Sequence, residues 1–312
     1  MSLPSRPSPT AFGAGQRQSG QALGLLAACG AGFLWGTGAL VVDVLVSAHG
    51  FTPAHISFLR FAIGAAVLLL VFGRRIPWAR LRAVAGTVGV AGLAMAGYVL
   101  CWFLGIEQIG PAVPTLIALC LPPVLVTLVA VLRGQERLDR QIVGVLAAAL
   151  AGTALVVAPH GGGGPVANAG LLAGIGFSVA SAVLYAGFTL VSGRLSTTLG
   201  AGPATTCLTV VAAAAMALYA LVQPLHWPQG LPPQAWYLYL GVVTAALALL
   251  AFSWGAARLS PTGLTVATLV EPLTAVLLSA WLLGQALAPA QWAGGLLLML
   301  GIWVLGRRVT GR

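Results

Sequence analysis

One acid and one base lie where charged side chains are least at home. Glu271 sits ten residues into an apolar run that starts at Pro261. At 1.5 Å per helical residue that is roughly 15 Å, about the middle of a bilayer's hydrocarbon. Arg60 sits seven residues into the run that starts at Pro53. An ionised group at such depth costs several kcal/mol unless it is paired or wet, so it commonly marks an aqueous path. Glu271 could hold a substrate amine or a proton, or stay protonated and brace its own helix. Arg60 could attract a substrate carboxylate, pair with Asp43 or Glu271, or snorkel to a polar surface.

Four rings add candidate walls to a substrate site. Tyr98 and Trp102 are four residues apart and share one helix face. Trp35 and Tyr185 are separated by 150 residues, and that spacing recurs along the chain. Such rings could wall a cavity or face lipid, as Trp227, Trp236 and Trp292 do if they belong to the interfacial belt. Pro122 and Pro123 fall near the middle of one apolar run and Pro272 near the middle of another. A proline inside a helix withdraws a backbone donor and pushes on the carbonyl four residues earlier. These three are the candidate kink and gating positions, freeing the carbonyls of Ala118, Leu119 and Thr268.

The elements that must carry these residues follow from composition. The chain is 59% hydrophobic and 6% charged, against about 25% charged in soluble domains. Its solvent is lipid. Ten apolar segments can be marked at 22–47, 53–73, 80–106, 110–133, 138–158, 168–194, 201–223, 235–258, 261–283 and 288–307. Each can cross about 30 Å of hydrocarbon as a helix, and a lone spanning segment must satisfy its own backbone, so helix is the assignment. Ser260-Pro261 supplies an N-cap followed by proline at the first helical position. Residues 1–21 are polar and read as a disordered cytoplasmic tail. A Gly-rich stretch, 159–167, links two halves. It lacks the Gly-Lys-Ser/Thr ending of a phosphate loop.

The halves repeat each other. An offset of 150 pairs Gly105-x5-Pro111 with Gly255-x5-Pro261, Pro53 with Pro203, Pro122 with Pro272, and Gly134-Gln135 with Gly284-Gln285. The first repeat is 22–158 and the second 168–308. Five spans per repeat is an odd number, so the second repeat enters the membrane from the opposite side. The fold expected is an all-α membrane protein of ten helices in two inverted-topology repeats. Fourteen of the 15 cationic side chains, all arginine, fall on the connections of one face; Arg60 is the exception. The positive-inside rule makes that face cytoplasmic and places both termini there.

Taken together, Trp35-Gly36, Gly255-x5-Pro261, Glu271-Pro272 and Gly284-Gln285-x5-Gln291-x2-Gly294 resemble the ten-helix EamA-type branch of the drug/metabolite transporter superfamily. Gln135 and Gln285 stand where members of that branch usually carry glutamate. The resemblance implies a multi-pass transporter of the bacterial inner membrane, exporting small metabolites by alternating access. Within the branch the chain is most similar to exporters of aromatic and other neutral amino acids. The expected substrate-binding set is Trp35, Arg60, Tyr98, Trp102, Tyr185 and Glu271.

Other classes are disfavoured. The arginines sit at span ends and form no single basic face, which argues against nucleic-acid binding. The scattered His49, His55, His160 and His226 and the cysteines Cys29, Cys101, Cys120 and Cys207 have no metal-ligand spacing. Leu26-Ala27-Ala28-Cys29 resembles a lipidation box but too few apolar residues precede it. No cofactor or ATP motif occurs, and no nucleophile and base converge at one face as a lipid-modifying enzyme requires. The expected partners are a small-molecule substrate, an amino acid, and the lipid bilayer. The sequence leaves the oligomeric state open and is compatible with a monomer.

Overall fold

The computed structural model describes residues 10–109, 112–157, 170–220, 227–283 and 287–310. Every regular element among them is helical: α1 (Thr10–Ser47), α2 (Pro53–Phe72), α3 (Trp78–Ile109), α4 (Ala112–Leu132), α5 (Arg140–Val157), α6 (Leu171–Leu199) and α7 (Ala201–Ala220). Then come α8 (Pro233–Tyr239), a π-helical segment (Leu240–Leu247) and α9 (Ala248–Ala256), which together make span eight. Span nine is α10 (Pro261–Thr268) plus α11 (Val270–Leu283), and span ten is α12 (Pro289–Thr310). Nine of these spans are long and apolar enough to cross a membrane; the remaining one, Arg140–Val156, is shorter but apolar. Gly110-Pro111, Gly284-Gln285, the linker 159–167, His160 and His226 lie outside the described residues.

Helix α1 begins at Thr10, within the polar stretch 1–21, and its apolar part starts at Ser19. Ala11, Gln16, Arg17 and Gln18 favour helix, so the span can extend past its apolar edge. Where the chain must turn sharply, glycine serves: Gly50 and Gly134 adopt φ near +68° at the ends of α1 and α4, a region costly for residues with a Cβ. Thr52 and Ser260 cap α2 and α10 through their hydroxyls, each with proline in the first turn.

Packing follows the repeat. α3 lies along α6, and the 150-residue counterpart of that pair, span eight on α1, is also packed. α4 lies on α6 just as span nine lies on α1. α2 packs on α7 and α5 on α12, pairs that exchange into themselves. This is two five-helix repeats related by a pseudo-two-fold axis in the membrane plane. The close approaches are made by small residues. A Cβ on Gly152 would sit 2.7 Å from the Gly294 carbonyl oxygen, and the reciprocal distance from a Cβ on Gly294 to the Gly152 oxygen is also 2.7 Å. Those two helices pack backbone to backbone.

Candidate functional site

Six side chains from five spans meet around one cavity of about 200 Å³. Its lining includes Trp35 of α1, Arg60 of α2, Tyr98 and Trp102 of α3, Tyr185 of α6 and Glu271 of α11. All six residues singled out in the sequence are thus brought together. Pro123 also reaches the lining, whereas Pro122 and Pro272 are buried behind it. The cavity occupies the half of the bundle at which α1 and α3 end and α2, α4 and α6 begin. Asp43 stays exposed and forms no ion pair with Arg60, so that pairing is not the one adopted.

The two charges face the cavity without neutralising each other directly. Among the described residues no hydrogen bond or ion pair within 4.0 Å joins Arg60 to Glu271. They are near enough for charge attraction. The Arg60 Nε is buried with no hydrogen-bond partner. Its guanidinium also lies 5.4 Å from the Phe61 ring centre. A buried donor left unpaired costs about 1–3 kcal/mol.

Trp35, Trp102 and Tyr185 have hydrogen-bonding contacts at their polar ends, and the rings pack on neighbouring rings along their faces. Trp35 Nε1 donates to the Thr244 carbonyl at 3.0 Å, and Trp102 Nε1 donates to Thr115 Oγ1 at 3.2 Å. Tyr185 and Thr268 hydroxyls lie 3.5 Å apart, and Ser181 Oγ donates to the Tyr98 carbonyl at 2.7 Å. Tyr98 and Tyr185 pack edge to face with centroids 5.1 Å apart. Trp35 and Tyr185 each also lean on Phe252, at 5.6 Å and 6.5 Å. Edge-to-face pairs of this kind contribute about 0.5–1.5 kcal/mol beyond burial. The result is an apolar, preformed wall.

Glu271 is placed by a break in span nine. The helix is interrupted at Leu269, whose N–H bonds back to Val266 and Ala267. Pro272 has no N–H to give the Thr268 carbonyl, so the ladder fails at that level. Gly32 and Gly36 let α1 press against this break. A Cβ on Gly32 would come 2.6 Å from the Thr268 oxygen, and one on Gly36 2.6 Å from the Glu271 oxygen. In span four the outcome differs: α4 runs unbroken through Pro122 and Pro123. The Thr127 hydroxyl donates back to the Pro123 carbonyl at 2.6 Å, while the carbonyls that Pro122 and Pro123 leave without a ladder donor are those of Ala118 and Leu119.

Comparison with known proteins agrees with this architecture. The chain matches the EamA-like transporter family twice, at residues 22–158 and 172–307. The chain belongs to the EamA-like transporter family. It is 30% identical over 292 residues to "Uncharacterized transporter YwfM" of Bacillus subtilis (strain 168), a match that covers 88% of this chain and 90% of that one. A solved structure, described as "Crystal structure of protein", is similar with a TM-score of 0.76 and 24% identity, over 95% of this chain and 100% of that one.

In this EamA-like transporter the opposite end of the bundle, where the arginine-bearing connections lie, is sealed. Gly24 of α1 packs against Arg258 and Gly255 against the Gly24 carbonyl. Glu136 Oε1 accepts from the Thr262 N–H at 3.2 Å, at the start of α10, and the Thr127 and Thr262 hydroxyls meet at 2.9 Å. Asp139 pairs with Arg308 at 2.7 Å. The Ile142 N–H and the Arg308 guanidinium hold the Asp139 carboxyl below its usual range. These polar contacts escaped the sequence reading, as did the lining hydroxyls of Thr115, Ser181, Thr265 and Thr268. A signal for two of them was present: Thr115 and Thr265 are related by the 150-residue offset, like Trp35 and Tyr185.

Proposed function

We propose that this transporter is a secondary exporter of amino acids, aromatic and neutral ones included, in the bacterial inner membrane. The observation that carries this reading is the unjoined Arg60 and Glu271 in one aromatic-walled cavity. An α-amino acid bears a carboxylate and an ammonium on the same carbon, so it can satisfy both charges at once. The rings then take an apolar or aromatic side chain. A cavity of about 200 Å³ falls below the range of about 300–1,000 Å³ for drug-sized sites, which favours a small metabolite.

Alternating access supplies the mechanism. Both repeats contribute to the cavity lining, the matched pairs Trp35/Tyr185 and Thr115/Thr265 among them, and exchanging the conformations of the two halves would open it to the other face. By the positive-inside rule the sealed end is cytoplasmic, both termini lie there, and the cavity half is external. The family is one of transporters, and the chain carries no nucleotide motif, so the driving force is a gradient.

The experiment is counterflow in proteoliposomes containing only this protein. Vesicles loaded with a panel of amino acids, and with amines or carboxylates lacking one of the two charges, are assayed for exchange. Zwitterions should move, and the single-charge analogues should be slower by tenfold or more, as expected from about 1.5–3 kcal/mol for one charge-assisted hydrogen bond. Equal rates for all three classes would overturn the zwitterion reading in favour of a broader metabolite exporter.

A further inference from the structure

Span eight contains a wide turn at the level of the cavity. The π-helical segment Leu240–Leu247 sits between two α-helical stretches, α8 and α9. Inside it the ladder pairs residues five apart; beyond it, four apart. At the return one carbonyl is left over. The Ala248 N–H bonds to the Val243 carbonyl, and α-helical pairing from Leu249 onward starts at the Ala245 carbonyl. The Thr244 carbonyl between them has no place in the ladder. It is this oxygen that receives the Trp35 indole N–H at 3.0 Å. The Thr244 hydroxyl turns back to the Leu240 carbonyl at 2.7 Å and fills the wide turn from within.

The segment is seated tightly against the first repeat. A Cβ on Gly38 would lie 2.8 Å from Thr244 Cγ2, and one on Gly64 would lie 2.7 Å from the Ala245 Cβ. The counterpart of the π segment, residues 90–97, lies in the unbroken helix α3. Tyr185, the counterpart of Trp35, has no such leftover carbonyl opposite it, and its hydroxyl lies 3.5 Å from that of Thr268. Of the matched pair of rings, Trp35 is the one tied to a backbone carbonyl.

We propose that the Thr244 carbonyl is a positioning group, locking the Trp35 indole as a rigid wall that selects substrates by side-chain size. This rests on the amino-acid reading of the cavity. A side chain that would need the indole to swing must break a buried hydrogen bond, and the penalty is spent against large substrates only.

The test uses the full-length protein in proteoliposomes, with counterflow of amino acids graded from small to aromatic. Trp35→Phe keeps a ring and removes the N–H. Gly64→Ala pushes the π segment from α2 without touching the cavity lining. Should that variant fail to fold, Ala245→Gly loosens the same seat. Each should raise the ratio of large to small substrate transport by about tenfold, the order expected for one buried hydrogen bond. Uniform loss across the panel would show a merely structural role and overturn the proposal. A shifted ratio in Trp35→Phe alone would overturn the part assigned to Thr244. The bond has its own readout in hydrogen exchange of the ¹⁵N-labelled indoles, with the Trp35 signal assigned by its loss in Trp35→Phe. That N–H should be protected, and Gly64→Ala should speed its exchange at least tenfold. If the wild type moves no amino acid, the proposed function fails, while unprotected exchange would overturn the tether separately.

Discussion

Within the cavity lining, Arg60 and Glu271 are the two positions where the repeat symmetry is broken by charge. Their counterparts at the 150-residue offset are Val210 and Leu121, so each charge comes from one half only and the cavity has a polarity along its axis. Glu271→Gln and Arg60→Gln should each reduce amino-acid counterflow by a factor of tens, from loss of about 1.5–3 kcal/mol at a charged hydrogen bond. The two losses should not add in the double variant, because one substrate engages both. If Glu271 also carries a proton through the cycle, Glu271→Gln removes the pH dependence of transport, and unchanged pH dependence would remove that role. Among the rings, Tyr98→Ala and Trp102→Ala should depress transport far more than Trp227→Ala. The first two line the cavity, whereas Trp227 is 68% exposed and outside it. Equal effects in all three would sink the assignment of the wall. These six residues were legible in the sequence because polar and aromatic groups stand out against apolar spans. Thr268 was not, since it has no threonine counterpart at the 150-residue offset and threonine in a membrane helix usually bonds its own backbone.

Helices reach the cavity at the right depth because of what interrupts or thins them. Span nine breaks at Leu269, and α1 can follow that break only because Gly32 and Gly36 face it. Gly36→Ala would bring a methyl within 2.6 Å of both the Glu271 oxygen and the Thr274 Cβ. Overpacking of this kind costs about 1–3 kcal/mol, here at the element that sets the acid's position. The expected outcome is a lower melting temperature together with lost transport. Gly30→Ala is the control: a Cβ there meets nothing within 4 Å, and it should leave both unchanged. Equal damage from the two changes would mean that α1 tolerates no extra volume anywhere, and that the close approach is not special. Proline positions announced an irregular span nine, and the structure has it. They announced the same for span four, where α4 nevertheless runs unbroken through Pro122 and Pro123. The π segment in span eight had no signal at all, because Leu240–Leu247 reads as an ordinary apolar run. A wide turn there depends on what packs against it, not on its own residues.

For the whole molecule, inverted repeats impose a strict comparison. If the two halves were identical, the outward-open and inward-open states would be mirror partners in energy, related by exchange of conformations. Any preference between them must come from contacts that one half makes and its counterpart cannot. The sealed end has such contacts in Glu136 with the Thr262 N–H, Thr127 with Thr262, and Asp139 with Arg308. Their counterparts at the 150-residue offset are Ala286, Ala112, Leu277, Pro289 and Ala158, none of which carries a side-chain donor or acceptor. The polar latch therefore exists for one closed end only, and the resting transporter should favour the state with that end shut. The Asp139 pair is exposed, and pairs of that kind contribute little. Asp139 is held below its ordinary carboxylate range, so what it adds is present at neutral pH and lost as pH falls through its depressed value. The buried Thr127–Thr262 contact and the Glu136 carboxylate on a helix N-terminus carry more of the latch. In a variant with the native cysteines replaced, Ala28→Cys reports on the sealed end, since Ala28 is fully buried beside Gly255. Adding Glu136→Ala and Thr127→Val should raise its labelling by an impermeant thiol reagent about tenfold from the arginine-bearing face. Placing Thr at 112 and 277 and Glu at 286 should do the same in the intact background, by giving the other end a latch of its own. Unchanged labelling in both would mean that shape complementarity, and not these polar contacts, holds the end shut.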